Sequence, residues 1–198
     1  ENIEADIVTL DRLSDGKINI FFIGRIAPNK GHKHILFVSF YYRLLFGKNI
    51  RFIISGGVDS RLNEYKKELD ELTDRLGLGE TVEFTGRISL SELKSYYLGA
   101  HFFLLLSEHE GFCVPILEAQ HFKLPVISYC VPAVKETLGN NQLIFNDMDY
   151  EMLASSIHTL FNDFESKSFL IREGYKNFLN YETARLKGKF LSCIKRTA

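Results

Sequence analysis

The chain has 198 residues, 45% of them apolar and 25% charged, with 24 Lys and Arg against 25 Asp and Glu and a formal charge of -1. That length sustains one generous α/β domain, or two cramped ones, with a buried core and no need of cross-links. The charge balance leaves no global positive field to gather nucleic acid or anionic lipid, although a local basic pocket is compatible with it. Cys113, Cys130 and Cys193 fit neither a disulfide framework nor a zinc-ligand spacing, and their odd number points to a reducing, cytoplasmic setting. No apolar run reaches the roughly 20 residues of a membrane span, and the acidic start is unlike a signal peptide. With 17 Phe, 9 Tyr and no Trp, the core or an interface is expected to be strongly aromatic.

Residues 1–17 are polar and weakly patterned and read as a linker-like head. The apolar run Ile18 to Ile23 then predicts a buried strand closed by Gly24. A loop with Pro28, Asn29, Lys30 and Gly31 leads into a stretch of helical spacing, His34 to Phe46, that ends at Gly47-Lys48-Asn49. The cycle repeats as strand Arg51 to Ser55, turn Gly56-Gly57 and helix Ser60 to Leu76. A short third strand, Val82 to Thr85, precedes Gly86 and a helix over about Ser89 to Leu98. Next come the apolar run His101 to Leu106, the loop Ser107 to Val114 and a helix opened by Pro115. Pro125 to Ser128 and Leu143 to Phe145 read as further strands, separated by a less regular segment. Asp149 to Phe161 is amphipathic, with Met152, Ile157 and Leu160 expected inward. Leu170, Ile171, Tyr175, Phe178 and Leu179 form one helical stripe, and another helix is expected over Tyr181 to Ile194. Six strands alternating with helices imply an α/β, Rossmann-like three-layer sandwich around a mostly parallel sheet. Ligands of such sheets lie beyond the carboxyl ends of the strands, here at the loops after the first and fourth strands.

Both loops carry chemistry. Gly24-Arg25-Ile26-Ala27-Pro28-Asn29-Lys30-Gly31 brings an arginine and a lysine into one strand-to-helix turn, where they can reach a single phosphate group. The order is not that of a nucleoside triphosphatase loop, and no Gly-x-Gly-x-x-Gly follows any strand, which argues against ordinary kinases and dehydrogenases. In Ser107-Glu108-His109-Glu110-Gly111-Phe112-Cys113-Val114-Pro115-Ile116-Leu117-Glu118, backbone N-H groups around Phe112 to Ile116 are expected to face the crevice and favour an anion. Glu110 and Glu118 flank that position as acceptors suited to paired hydroxyls, unless Glu110 is simply exposed and Glu118 bonded to neighbouring backbone. His109 fits a minor positioning role. His32 and His34 lack a third ligand at useful spacing, so no metal is expected. His101, His121 and His158 read as structural groups, and Cys113 has no histidine partner to make it a nucleophile.

These pieces together, with Leu117-Glu118-Ala119 and Leu124-Pro125-Val126-Ile127, resemble the C-terminal, donor-binding domain of family 4 (group 1) retaining glycosyltransferases of the GT-B fold. The glutamates Glu110 and Glu118 have seven residues between them, as in that family's signature, and the order of loops matches from about 18 to 162. The resemblance implies a nucleotide-sugar domain over 18–162, with helices over 163–198 packing on it. It implies Arg25, Lys30 and Glu110 as catalytic residues, the cations on the diphosphate and Glu110 facing the donor sugar. Gly24, Gly57, Arg87, Ile88, Gly111, Phe112, Cys113, Val114 and Glu118 would line the donor, Glu118 at the ribose and the Gly86-Arg87-Ile88 turn at the base.

The implied reaction moves a hexosyl group from a UDP- or GDP-linked donor to a saccharide or lipid-linked hydroxyl with retention, and no further cofactor or metal is implied. An N-terminal lobe outside this sequence would bring the acceptor and any contact with the inner face of the membrane, and the domain alone would be inactive. Competing readings are a non-catalytic nucleotide-binding module and a nucleotide-sugar epimerase. The sequence departs from the family where glycines are usual, at Cys113 and Lys123, and in the turn Tyr129-Cys130-Val131-Pro132. Cys113 would narrow the approach to phosphate if a positive φ is required there.

Overall fold

In the computed structural model, which describes residues 3–182, the apolar runs form strands β1 (Ile18–Ile23), β2 (Ile50–Ser55), β3 (Val82–Gly86), β4 (Phe102–Leu105), β5 (Val126–Tyr129) and β6 (Leu143–Phe145). They build one sheet in the order β3-β2-β1-β4-β5-β6, and every pairing is parallel. Helices α2 (His32–Phe46), α3 (Asn63–Arg75), α4 (Leu90–Gly99), α5 (Val114–His121), α6 (Pro132–Leu138), α7 (Tyr150–Asn162) and α8 (Phe164–Phe178) follow in chain order. The strand order reverses between β1 and β4, so the loops leaving these strands part above the sheet and open a crevice there. The expected α/β architecture is the one observed.

The sheet is buried on both faces, which explains the near-continuous apolar character of β1, β2 and β4. Aromatic rings fill one face: Phe21 stacks on Tyr96 at 5.3 Å and meets the edges of Tyr97 and Phe103 at 5.1 and 6.0 Å. The one polar residue inside β1, Asn19, is fully buried and satisfied. Its amide donates to the Leu13 and Gly99 carbonyls, and its oxygen accepts from Arg51.

That network corrects the reading of residues 1–17 as linker-like. A first helix, α1 (Ile7–Leu13), is capped by the Asp6 side chain, which accepts from the Thr9 N-H at 2.8 Å, and it buries Thr9 and Leu13 against α4. Seven residues cannot hold a helix in water alone, so its order comes from this packing. Inside α7 the buried residues are Leu153, Ala154 and Ile157, while Met152, expected inward, is 55% exposed. The segment read as less regular contains α6. The helix expected over 181–194 lies almost wholly outside the described residues.

Both positions that depart from glycine adopt left-handed backbone, with φ of 57° at Cys113 and 58° at Lys123. Lys123 follows α5 in a Schellman arrangement: the Leu124 N-H reaches the Ala119 carbonyl at 2.8 Å and the Lys123 N-H reaches Gln120 at 3.1 Å. The lysine therefore keeps the chain path a glycine would take, at a strain of about 1–2 kcal/mol.

Candidate functional site

One side of the crevice is made by the loops after β1, β2 and β3, which continue the sheet's ladder past its strands. Gly24 donates to the Ser55 carbonyl at 2.9 Å, Gly56 to Gly86 at 2.8 Å and Ile26 to Gly57 at 3.0 Å. Gly56, at φ 149°, lies so close to β1 that a Cβ there would stand 1.9 Å from the Gly24 oxygen. Gly57 is covered by the Arg87 side chain. On the other side of the crevice, Gly31 lies against the Leu106 carbonyl, and the Glu108 N-H donates to the Asn29 carbonyl at 3.0 Å. The loops after β1 and β4 are thus stitched together at their bases, and their side chains meet above.

What meets there is the pair Lys30 and Glu110. Lys30 Nζ donates to both carboxylate oxygens, at 2.9 and 2.8 Å, and the Glu110 side chain is only 7% exposed. Glu110 is therefore neither solvated nor free, but engaged by the lysine 80 residues away in sequence. Arg25 is exposed and pairs with no carboxylate among the described residues, and the same holds for Arg87. Arg25 contributes through its field, which helps hold the Asp59 carboxyl at about 2, behind the larger effect of the Arg61 hydrogen bonds. Gly111 is exposed with open space around its Cα, and Phe112 and Val114 are 50% and 53% exposed.

The amide array at the start of α5 is smaller than the sequence suggests. Pro115 has no N-H, and the Ile116 N-H turns back to the Cys113 carbonyl at 3.1 Å. Cys113 is buried, and burial, with the Glu110 charge added, pushes its thiol up to about 12, so it is a protonated wall and not a nucleophile.

Glu118 is bonded to a side chain, not to neighbouring backbone: the Tyr97 hydroxyl donates to its Oε2 at 2.8 Å. It lines a groove of about 310 Å³ between α4 and α5 with Leu90, Leu93, Tyr97, His121 and Phe122. At the N-terminus of α4, Ser89 and Glu92 form a reciprocal capping box that holds the Gly86-Arg87-Ile88 turn beside this groove. A larger cavity, about 770 Å³, lies at the β6 edge between α7 and α8, away from these charged groups. Tyr97 carries no sequence signal of its role, because its partner comes from another helix.

Of the three histidines read as structural, His101 and His158 are hydrogen-bonded within the fold and His121 packs against Phe122 and Phe178. His101 accepts from the Asn19 N-H, His158 bonds Tyr42, and His34 bridges Tyr150 and Glu108 at 2.9 Å each. His32 is fully buried, with Nδ1 3.3 Å from the Ala27 carbonyl and Nε2 without a hydrogen-bond partner among the described residues. Burial, with the Lys30 charge adding, pulls it down to about 4. The unfolded chain takes up this proton near pH 6.5 and the folded one only near pH 4, so stability falls as pH drops through that window. Lowering the pH from 7 to 5 is expected to cost about 2 kcal/mol in urea titrations. His32→Gln should flatten that dependence, and an equally steep profile in the variant would remove His32 as its source.

Comparison with known proteins decides the family. A family profile described as "Glycosyl transferases group 1" matches residues 11–177. The chain belongs to the group 1 glycosyltransferases. Within this family it is 26% identical to the capsular polysaccharide biosynthesis glycosyltransferase CapM of Staphylococcus aureus, over 92% of this chain and 45% of that protein. It is 28% identical to the D-inositol 3-phosphate glycosyltransferase of Corynebacterium urealyticum, over 73% of this chain and 35% of that protein. The chain thus spans less than half the length of these curated relatives.

Two solved structures share the fold. The C-terminal domain of the Francisella tularensis group 1 glycosyltransferase LpcC superposes with a TM-score of 0.74 at 22% identity, covering 90% of this chain and 94% of that one. Anabaena Alr3699/HepE, solved with UDP and glucose, gives 0.81 at 18% identity, covering 98% of this chain and 54% of that one. The fold is that of the C-terminal domain of a GT-B group 1 glycosyltransferase.

Proposed function

We propose that this domain is the donor half of a retaining glycosyltransferase, binding a nucleoside diphosphate sugar, UDP- or GDP-linked, for transfer to a saccharide or lipid-linked hydroxyl. The observation that carries this reading is the Lys30–Glu110 pair at the β1/β4 crevice of a group 1 family member, with Arg25, which pairs with no carboxylate among the described residues, on the same loop as Lys30. In this reading the diphosphate takes Arg25 and Lys30, and Glu110 turns to the sugar hydroxyls. Glu118 takes the ribose, and the 86–88 turn flanks the base. The bond between the anomeric carbon and the diphosphate oxygen breaks as the acceptor oxygen attacks the same face, and the acceptor proton leaves to the departing phosphate. Charge grows on the leaving group in the transition state, so cations fixed beside it accelerate the step more than they tighten the ground state. No covalent nucleophile is needed.

The left-handed backbone at Cys113 keeps the chain path of the usual glycine, with a buried side chain added where that glycine would have none. Isothermal titration of the 198-residue chain with UDP and GDP is expected to give saturable binding to one of them. Absence of binding at millimolar ligand would overturn the proposal. A chain joining this domain to an acceptor-side lobe should consume donor only when acceptor is present, whereas an epimerase would convert donor without one.

A further inference from the structure

We propose that Tyr97 is a positioning residue whose hydroxyl fixes the Glu118 carboxylate for the paired hydroxyls of a ribose, so that this domain takes ribonucleotide donors and discriminates against 2′-deoxyribonucleotide ones. The proposal rests on the assignment of Glu118 to the ribose made above.

The tyrosine ring is 2% exposed and locked by aromatic neighbours. It meets Phe21 edge-on at 5.1 Å, and Phe122 stacks on it at 5.3 Å with 10° between the planes. Such a ring has no freedom to follow a moving partner, so the partner is held to it. The hydroxyl emerges from this cluster at the groove between α4 and α5 and donates to Glu118 Oε2 at 2.8 Å, with no other hydrogen bond among the described residues. A phenylalanine would fill the same core volume, so packing alone does not account for the hydroxyl. Burial and the neighbouring Glu118 charge both raise the phenol's pKa, which keeps it a donor throughout the neutral range.

With Oε2 occupied, Oε1 remains to accept from a ligand, and the carboxylate can no longer swing along the groove toward Lys94 or His121. The contact also ties α4, which follows the base-side turn, to α5, which opens at the phosphate side. A site built to accept from a hydroxyl discriminates against the analogue lacking it, because its acceptor is then left desolvated and unpaired.

The test uses calorimetric titration of the 198-residue chain with UDP, 2′-deoxy-UDP, GDP and 2′-deoxy-GDP, taking whichever base binds. The intact chain should prefer the ribonucleotide by at least about tenfold, the factor expected for one hydrogen bond to a charged group. Tyr97→Phe should reduce that preference several-fold while leaving 2′-deoxynucleotide affinity and the melting midpoint nearly unchanged. Glu118→Gln should bring the ratio close to one, and adding Tyr97→Phe to it should change nothing further. If Tyr97→Phe keeps the full preference, or weakens both nucleotides equally, the positioning role is overturned while Glu118→Gln still reports on the ribose assignment. If the intact chain shows no preference, or Glu118→Gln retains it, the ribose assignment itself fails and Tyr97 falls with it. A melting curve of each variant identifies loss of fold. Should Tyr97→Phe unfold, the proposal is overturned in favour of a core role for the hydroxyl.

Discussion

Replacing Gly31 with alanine is expected to destabilise the domain by about 2–5 kcal/mol, the sum of a left-handed backbone penalty and a steric one. Gly31 sits at φ 69°, and a Cβ on it would stand 2.0 Å from the Leu106 carbonyl oxygen and 2.6 Å from the carbonyl carbon. The obstacle is backbone, so no rotamer change can relieve it: either α2 or the end of β4 must move. Those are the two walls of the crevice, and the Glu108-to-Asn29 hydrogen bond beside Gly31 must open as they part. Gly16 supplies the control, since it has φ 86° with nothing within 4 Å of its Cβ position. Gly16→Ala should lose only the backbone share, about 1–2 kcal/mol. Urea unfolding of both variants separates the two contributions, and equal losses at the two sites would show that the close approach to Leu106 carries no weight. The same displacement should weaken nucleotide binding in Gly31→Ala at temperatures where the variant is still folded.

Gly31 also shows what could be read from the chain. A strand ending in Gly24, a cationic loop closed by a glycine and a helix behind it were legible because each is a local pattern of apolar runs and breakers. The need for glycine at 31 comes from Leu106, which is a tertiary neighbour and invisible locally. Helix α1 was illegible for a similar reason: its seven residues show too little periodicity, and its order comes from Asp6, Leu13 and the face of α4. In α7 the cap at Asp149 sets the phase, so the inward stripe runs through Leu153, Ala154 and Ile157, and Met152 is turned to solvent. A stripe chosen by residue type alone missed that rotation.

The site divides along the same line. That the loops after β1 and β4 come together followed from strand order, and Lys30 and Glu110 meet where those loops do. Whom each side chain touches did not follow. Lys30 and Glu110 are 80 residues apart and Tyr97 and Glu118 are 21 apart, and both pairs depend on how separate elements are brought together above the sheet. The expectation of free amides at the start of α5 was too large on a local point that was available in the sequence: a proline at the second helical position removes one donor.

The charge pair at the crevice gives an expectation whose sign is opposite to the usual one for a binding-site residue. Glu110→Gln is expected to raise the affinity of the domain for a nucleoside diphosphate without sugar by about tenfold, since it removes a carboxylate that both repels the anion and occupies its lysine. Lys30→Ala is expected to lower that affinity by roughly 100-fold through loss of a charge-assisted contact. It should also destabilise the empty domain by about 2–4 kcal/mol, because the Glu110 carboxylate would be left unpaired in a poorly hydrated position.

In the double variant Lys30→Ala/Glu110→Gln, stability should recover toward that of the intact chain while affinity stays low, which separates the folding role of the pair from its binding role. Nucleotide-sugar behaves differently from nucleotide in this scheme: Glu110→Gln should erase much of the advantage the sugar confers, because the acceptor released from Lys30 is the one that would meet its hydroxyls. Calorimetric titration at fixed ionic strength with both ligands reads the four affinity outcomes, and urea unfolding reads the two stability outcomes. Weaker diphosphate binding in Glu110→Gln would mean that the carboxylate holds Lys30 in its working position instead of competing for it, and that the pair persists when the anion arrives.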